Sequence, residues 1–201
     1  MSQADIFVLA DDLQYTSHGL INRARIKNAR GWQWLTVPVL TAGRGLQKIN
    51  EVRIDPSRNW ALKHWKSLYV NYKNAPYFEW YEEFFKQLFH SRWKYLVELN
   101  ITAIEFICQA LGIKTSLFRS SRLPKAREIN QRLVKWLKHL GCDTYLVEET
   151  YRQYLKMPLF EEVRFITFQP PVYHQLFGSF IPNLSVVDLL FNEGEKSREV
   201  L

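Results

Sequence analysis

The sequence has too few of the residues that define several large classes of protein. Its two cysteines, Cys108 and Cys142, cannot form a disulfide framework or a four-ligand metal site. No apolar run approaches the roughly 18 residues of a membrane-spanning helix. Acidic residues near the start of the chain, Asp5 and the pair Asp11-Asp12, interrupt any secretory signal sequence. We therefore expect a soluble, cytoplasmic protein.

Common catalytic and nucleotide-binding motifs are also absent. The eight glycines form no phosphate-binding loop, no GxGxxG and no GxSxG, and the sequence contains no CxxC or HExxH. None of the histidines lies at metal-ligand spacing from another His or Cys; they are His18, His64, His90, His139 and His174. We expect no metal site built by the protein alone, although one carboxylate could hold a substrate-bound Mg²⁺. The sequence leaves the cofactor unknown.

Aromatic and basic residues, by contrast, are abundant. Aromatics make up 15% of the chain, and the formal net charge is +7. Residues 13–73 contain eleven Lys and Arg against two acids, and residues 114–138 contain eight against one, which leaves the remainder of the chain at −9. Two basic segments in an otherwise acidic chain indicate an anionic ligand such as a phosphate, a nucleotide, a nucleic acid or an acidic glycan. An ordinary solvated surface explains the same pattern about equally well.

The periodicity of apolar residues predicts an α/β fold. Ile6–Ala10 is a continuous apolar run of the kind found in buried parallel strands. Residues 20–54 alternate in short segments typical of antiparallel strands, and residues 55–111 have the three-to-four-residue spacing of helices rich in aromatics. From residue 115 onward the order is β-α-β-α-β, which favours a parallel sheet. We predict a three-layer, Rossmann-like, mostly parallel sheet with an inserted antiparallel region and a helical segment.

This architecture implies one domain over residues 1–194, followed by a frayed tail over residues 195–201. Near the end of that domain, Ser185 is typical of a helix N-cap, and Asp188 lies at the position that completes a capping box. This pattern predicts that the Asp188 side chain caps the start of a helix.

One group of candidate residues follows the first strand. Asp11, Asp12 and Gln14 come directly after it, and open α/β sheets bind ligands at the carboxyl ends of their strands. Carboxylates at this edge could act as a base or bind substrate hydroxyls. Capping of a turn by one of them is an equally simple interpretation.

A second group lies on an alternating segment. Arg23, Arg25 and Lys27 follow Asn22, and on a strand the three cations project to one face. Because like charges repel, an anion or neighbouring carboxylates should lie among them. The segment therefore predicts either an anion site or a salt-bridge network.

The remaining candidates are distributed along the rest of the chain. His64 and Asn71 share one face of a predicted helix, where a lone histidine is more often structural. Arg119 and Ser120 end a strand just before a basic helix, an arrangement that suits an anion. Tyr173 belongs to a proline-punctuated loop rich in Gln and Asn, a composition found in ligand-facing loops.

These segments resemble the bacterial WbqC-like family. The matching strings run in order from residue 3 to residue 194: ADIFVLADDLQY, NRARI, WQWLTVPV, NYKNAPYF, LNITAIEFIC, LFRSS, LGCDTYL and PVYHQLFGSFIPNLSVVDLLFN. The resemblance implies a place in gene clusters for O-antigen and other surface polysaccharides. It also implies a glycyl or other aminoacyl transfer activity, which has been suggested for some members.

The chain departs from the family pattern at two places. The family usually begins with a strand and a Gln-Pro-x-Tyr-x-Pro-Trp-like motif before the ADIFV strand, so we expect that first strand to be missing and the edge of Ile6–Leu9 to be exposed. After Asp143–Leu146 the family tends to have Ser-Gly, whereas this chain has Val147-Glu148-Glu149. The added side chains and negative charge weaken the expectation of substrate binding there.

The leading hypothesis is a transferase acting on a phosphate-bearing activated substrate, such as a nucleotide-linked sugar or an acyl donor. Asp11 or His64 would be its catalytic base. The predicted substrate-binding residues are Asp12, Gln14, Asn22, Arg23, Arg25, Asn71, Arg119, Ser120 and Tyr173. Two alternatives stay open: a non-catalytic or degraded family member that acts as an assembly partner, and, less favoured, a nucleic-acid-binding protein. The oligomeric state is left open by the sequence.

Overall fold

The computed structural model describes residues 1–17 and 19–200. Its strands are β1 (Ile6–Leu9), β2 (Arg23–Asn28), β3 (Gly31–Thr36), β4 (Ser116–Arg119), β5 (Thr144–Glu148) and β6 (Glu162–Ile166). Its α-helices are α1 (Trp60–Tyr72), α2 (Phe78–His90), α3 (Leu96–Ala110), α4 (Ile129–Leu140), α5 (Val186–Glu193) and α6 (Ser197–Val200).

The single domain over residues 1–194 stays a prediction. By its internal contacts the chain divides into two compact units. The first, here called the strand unit, combines residues 1–11 with 115–169. The second, the helical unit, combines residues 12–114 with the segment that begins at Pro170.

The strand unit contains two pairs of parallel strands. Strand β1 pairs with β4 in a register that places Leu9 opposite Arg119, and β5 pairs with β6. Helix α4 leads from one pair to the other, with the Glu128 carboxylate accepting a hydrogen bond from Gln131 N at its start and Gly141 in the left-handed region (φ 69°) at its end. The parallel pairing predicted for the first strand is therefore confirmed.

The helical unit is organised around an aromatic core. Trp60, His64, Leu68 and Tyr72 are buried at every fourth position of α1, as the apolar spacing predicts. The ring of Phe191 in α5 lies 5.1 to 5.4 Å from the rings of Tyr72, Phe78 and Phe85. The predicted antiparallel insertion is the hairpin formed by β2 and β3.

The mixed α/β class is confirmed, but the sheets differ from the prediction. Within residues 1–17 and 19–200 the strands form three separate two-stranded sheets, two of them parallel and one antiparallel. The order of elements along the chain predicted the parallel pairs, whereas hydrogen bonding across a whole sheet depends on long-range pairing that periodicity does not encode. The three-layer, Rossmann-like arrangement stays a prediction.

Residues 194–200 are helical. A 3₁₀ helix at Gly194–Lys196 leads into α6, and the fully buried Ser197 donates its hydroxyl to Leu189 O at 3.3 Å. Gly194 has φ 57°, and a Cβ there would lie 2.4 Å from Tyr77 Cδ1. Only glycine fits this position, which fixes the end of α5 against the core.

Candidate functional site

The β2–β3 hairpin exposes two tryptophans beside two arginines. The antiparallel register places Arg25 opposite Trp34, and the period of two aligns Arg23 and Trp32 on the same face. The guanidinium carbon of Arg23 lies 4.3 Å from the centroid of the Trp34 ring, and that of Arg25 lies 5.2 Å from the Trp32 ring. Trp32 is 44% exposed and Trp34 is 37% exposed. We call these four residues the Arg–Trp face.

A loop between β6 and α5 packs against the hairpin. Within this closing loop, defined as residues 170–185, Asn183 O accepts a hydrogen bond from the Arg25 guanidinium at 2.8 Å. Ser185 N donates to Arg25 O at 2.8 Å. Phe177 and Asn183 have φ angles of 61° and 59°, in the left-handed region that non-glycine residues rarely adopt. Such backbone strain is concentrated at functional sites in proteins and persists only where surrounding contacts enforce it.

A buried polar network that includes a residue of β2 is centred on Asp188. Its carboxylate accepts hydrogen bonds from the Tyr72 hydroxyl at 2.7 Å and from the Tyr173 hydroxyl at 2.8 Å. The Lys27 ammonium, on β2, donates to Gln175 Oε1 at 3.0 Å and to Ser179 O at 2.7 Å. Lys27 and Asp188 are both fully buried. We call these residues the Asp188 network.

Burial shifts the titration of this network away from ordinary values. It raises the pKa of the Asp188 carboxyl, against the lowering effect of the two tyrosine hydroxyls and of Lys27. It lowers the pKa of the Lys27 ammonium, with Asp188 acting in the opposite direction. Burial also raises the pKa of both phenols, Tyr72 and Tyr173, and the Asp188 charge adds to that effect. Both charged groups are thus pushed toward their neutral forms and stabilise each other's charge.

Three of the predicted residues in the helical unit bond to backbone carbonyls. The Asn22 amide donates to Val37 O at 2.9 Å, and that of Asn71 donates to Ser67 O at 2.7 Å. His64 Nε2 lies 3.1 Å from Thr36 O, so this nitrogen carries the proton, since a carbonyl only accepts. Burial lowers the pKa of His64 to about 4, and its ring packs against Trp60 and Phe89. These contacts stabilise the fold.

In the strand unit, Asp11 lies at the carboxyl end of the β1–β4 pair. Its carboxylate accepts from Arg119 Nε at 2.7 Å, from Ser121 N and Oγ, both at 2.8 Å, and from Ser120 Oγ at 3.2 Å. Burial alone would raise the pKa of the carboxyl, but the hydrogen bonds from Ser121 and Arg119 outweigh it and hold the pKa below its usual value. Asp11 is therefore a well-partnered anion that joins the ends of two strands.

The structure gathers the predicted residues into separate groups. Asp11, Arg119 and Ser120 come together in the strand unit, while Arg23, Arg25 and Tyr173 join the hairpin and closing loop of the helical unit. Asp12 is partly buried, and Gln14 is exposed, with its backbone bridged to Lys48.

The sequence analysis missed the roles of several residues in the hairpin region: Trp32, Trp34, Tyr72, Gln175 and Asp188. The alternation in the string WQW, which places Trp32 and Trp34 on one face of a strand, was the signal for the tryptophan pair. For Asp188, the sequence pattern indicated a role in a helix cap instead. Ser185 does cap α5, since its hydroxyl accepts from Val187 N, but the Asp188 carboxylate bonds to the two tyrosines.

The described residues contain neither a cluster of metal ligands nor a helix that could span a membrane. Among residues 1–17 and 19–200, no three His, Cys, Asp or Glu side chains come together as metal ligands. Over the same residues, no helix has the length and apolar character needed to cross a bilayer. His18 of the sequence analysis lies outside the described residues.

The chain is similar over almost its whole length to a known bacterial protein and to a family model. The uncharacterized protein Rv1507c of Mycobacterium tuberculosis (strain ATCC 25618 / H37Rv) is 35% identical over 206 residues, which cover 98% of this chain and 87% of the relative. No solved structure matches. The model of the WbqC-like protein family matches residues 1–200. The chain therefore belongs to the WbqC-like protein family.

Proposed function

We propose that the protein is a cytoplasmic transferase of surface-polysaccharide biosynthesis that acts on a phosphate-bearing activated substrate. A nucleotide-linked sugar or an acyl or aminoacyl donor would bind at the Arg–Trp face. Membership of the WbqC-like family supports the pathway, and the net charge of +7 supports an anionic substrate.

The observation that carries this proposal is the placement of two guanidinium groups over two exposed indole rings. A guanidinium can match a phosphate group bidentately. Arg23 Nε already donates to Gly19 O at 3.1 Å. Arg25 spends one of its five N–H donors on Asn183 O. The exposed parts of Trp32 and Trp34 offer apolar ring surface on which a sugar or a base can lie.

The other roles predicted from the sequence remain predictions. As a base, Asp11 would have to act from a carboxylate that accepts four hydrogen bonds and whose pKa is lowered, which weakens its basicity. His64, with a pKa of about 4, is neutral at pH 7 and donates its Nε2 proton to Thr36 O. Substrate binding at the Arg–Trp face is therefore the part of the mechanism that can be tested first.

Titration calorimetry with UDP-glucose tests this assignment. Replacing both face arginines, Arg23→Gln with Arg25→Gln, should weaken binding at least tenfold, since each charge-assisted hydrogen bond to phosphate is worth about 1.5–3 kcal/mol. The charge-matched control is Arg30→Gln with Arg44→Gln, two exposed arginines outside the face. Equal affinity in the wild type and both double variants, or no binding by the wild type, would refute a substrate site on this face.

A second candidate function, binding of single-stranded nucleic acid, is favoured by the same exposed tryptophans. Bases stack on aromatic side chains while cations follow the backbone, and the affinity then falls steeply with salt. Titration of a labelled oligonucleotide at 50 and 200 mM salt separates the two functions. A flat salt response, or no binding at the lower concentration, excludes the nucleic-acid function. The third possibility is an assembly partner without catalytic activity, which should bind neither UDP-glucose nor the oligonucleotide.

A further inference from the structure

A basic pocket lies in the helical unit, apart from the Arg–Trp face. Three cationic side chains, Arg53, Arg92 and Lys94, line a cavity of about 350 Å³. Trp93, Pro56 and Leu40 supply apolar parts of its wall. We call this cavity the Arg53 pocket.

The pocket is built on three extended segments that pair side by side. Leu40 N donates to Arg53 O at 2.9 Å, and Ile54 N donates to Lys94 O at 3.0 Å. Val52 and Ile54, on either side of Arg53, are buried in the core at 0% and 5% exposure. Because side chains alternate along an extended segment, the Arg53 side chain has to point away from the core.

One aromatic side chain, Trp93, also lines the pocket. The indole N–H of Trp93 donates to Leu88 O at 2.7 Å, and the ring is partly buried. On either side of it in sequence, Arg92 and Lys94 are exposed, and the Lys94 ammonium lies 5.2 Å from the Tyr95 ring centroid. A hydrogen-bonded ring and two exposed cations that flank it in sequence thus line the same cavity.

The charge of this pocket is not neutralised by the protein. No acidic residue lines it, and within residues 1–17 and 19–200 none of the three cations forms an ion pair. Two acids lie two residues from Arg53 in sequence: Glu51 accepts a hydrogen bond from Lys48 N at 3.0 Å, and Asp55 accepts from Ser57 N and Oγ and pairs with Arg58 at 3.7 Å. Positive charges held in a concavity with apolar walls attract a counter-ion more strongly than charges spread over an open surface.

We propose that the Arg53 pocket binds the diphosphate group, or an equivalent pair of adjacent anionic groups, of a small molecule. Its volume is at the lower end of the range of about 300–1,000 Å³ found for small-molecule sites. Two guanidinium groups and an ammonium can each face phosphate oxygens, and guanidinium binds them bidentately. Diphosphate fits three positive charges better than a single phosphate does. This site is independent of the substrate site proposed on the Arg–Trp face.

Calorimetry with inorganic pyrophosphate as the probe tests the pocket. The wild type should bind pyrophosphate at one site and more tightly than inorganic phosphate. Arg92→Gln and Arg53→Gln should each weaken pyrophosphate binding at least tenfold. The matched control is Arg30→Gln, which removes the same charge at an exposed position outside the pocket and should change the affinity less than twofold. Thermal unfolding of each variant checks that the fold is kept.

Three outcomes would overturn the assignment. The first is the absence of pyrophosphate binding by the wild type. The second is an equal loss of binding in Arg30→Gln and Arg92→Gln, which would mean attraction by net charge alone. The third is loss of binding in the Arg23→Gln, Arg25→Gln double variant but not in Arg92→Gln.

A lipid headgroup could present the same phosphate chemistry, so vesicles form a separate arm of the test. Flotation with vesicles of phosphatidylglycerol and phosphatidylcholine should leave the protein unbound. Flotation that depends on Arg92, without binding of pyrophosphate, would assign the pocket to a membrane surface and overturn its assignment to a small molecule.

Discussion

Two buried aspartates, one in each unit, have carboxyl pKa values displaced in opposite directions. Asp11 in the strand unit is 3% exposed and its pKa is lowered, whereas Asp188 in the helical unit is fully buried and its pKa is raised. Asp11 accepts from four donors that include the Arg119 guanidinium. Asp188 accepts from two neutral phenols, and its nearby cation, Lys27, donates to Gln175 and Ser179.

The difference shows that burial alone does not set the charge state of a carboxyl. Desolvation acts in the same direction at both sites, and the number and charge of the donors decide the outcome. In the strand unit the donors outweigh burial, so the carboxylate stabilises the join between strands. In the helical unit burial outweighs the donors, so the charged pair is held by the surrounding fold.

The largest effect is expected from replacing the buried Asp188 carboxylate. Asp188→Asn should lower the free energy of unfolding by about 3 kcal/mol, because an amide nitrogen replaces one of the two oxygens that accept hydrogen bonds from the buried Tyr72 and Tyr173 hydroxyls. Urea denaturation at pH 7 measures this loss. A loss of under 1 kcal/mol in Asp188→Asn would contradict these two hydrogen bonds.

His64 shows most directly how burial shifts a pKa, because its ring contacts two aromatic rings and one backbone carbonyl. Its pKa falls from 6.5 in the unfolded chain to about 4 in the fold, so the unfolded state binds the extra proton across this window. Stability is then present in full above pH 6.5 and declines as the pH falls to 4, by about 3 kcal/mol in total.

His64→Gln should remove this acid-sensitive part while keeping a donor toward Thr36 O. Urea denaturation at pH 7 and pH 4 compares the variant with the wild type. The control is His90→Gln, at an exposed position of α2, which should leave the pH dependence of the wild type unchanged. The same acid loss in His64→Gln as in the wild type would show that another group is responsible.

At the well-partnered aspartate the cost of neutralisation should be smaller. Asp11→Asn should lower the free energy of unfolding at pH 7 by about 1–3 kcal/mol, since the hydrogen bonds to a charged acceptor are weakened and Arg119 remains partly solvated. Because its folded pKa is below 3.8, this stabilisation is present above pH 3.8 and is lost as the pH falls through the folded pKa.

The difference in the free energy of unfolding between Asp11→Asn and the wild type should therefore shrink as the pH falls. Asp188, whose folded pKa is raised, contributes with the opposite sign: protonation favours the folded state as the pH falls toward 3.8. Chemical denaturation across pH 3–7 measures both slopes, with Asp5→Asn, an exposed position in the strand unit, as the control. Parallel curves for Asp11→Asn and the wild type would argue against the assigned hydrogen bonds.

Single-donor deletions give the smallest and most direct comparison. Ser121→Ala removes one of several donors to Asp11 and should cost about 1 kcal/mol. Tyr173→Phe removes one of the two phenol donors to Asp188 and should cost about twice as much, because fewer donors remain for a more deeply buried charge. Thermal and urea unfolding of the two variants rank them, and the reverse order would break the proposed contrast between the sites.

Local patterns predicted the elements that local forces stabilise. The four-residue spacing of Trp60, His64, Leu68 and Tyr72 predicted α1, and the alternation around Trp32 and Trp34 predicted strands. The second α-helix of the predicted β-α-β-α-β order is a 3₁₀ helix at Glu149–Tyr154.

Partners across the chain could not be predicted in this way. Asp188 fits a capping box in sequence, yet its hydrogen-bond partner Tyr72 lies 116 residues away. Arg119, predicted to bind an anion, meets Asp11 across 108 residues of chain. Both contacts depend on how distant elements pack, which periodicity and capping rules do not contain.

The amino-acid sequence by itself determined the family, the mixed α/β class, the helices with an apolar face and the excess of positive charge. Those properties depend on residue types and on spacings of a few residues, over which side-chain direction follows from backbone geometry. Only the tertiary structure decided which carboxylate meets which donor, that Arg23 and Arg25 stack on exposed tryptophans, and that three cations line one cavity. Such contacts join residues far apart in the chain, and their free energy exists only once the fold has excluded water around them.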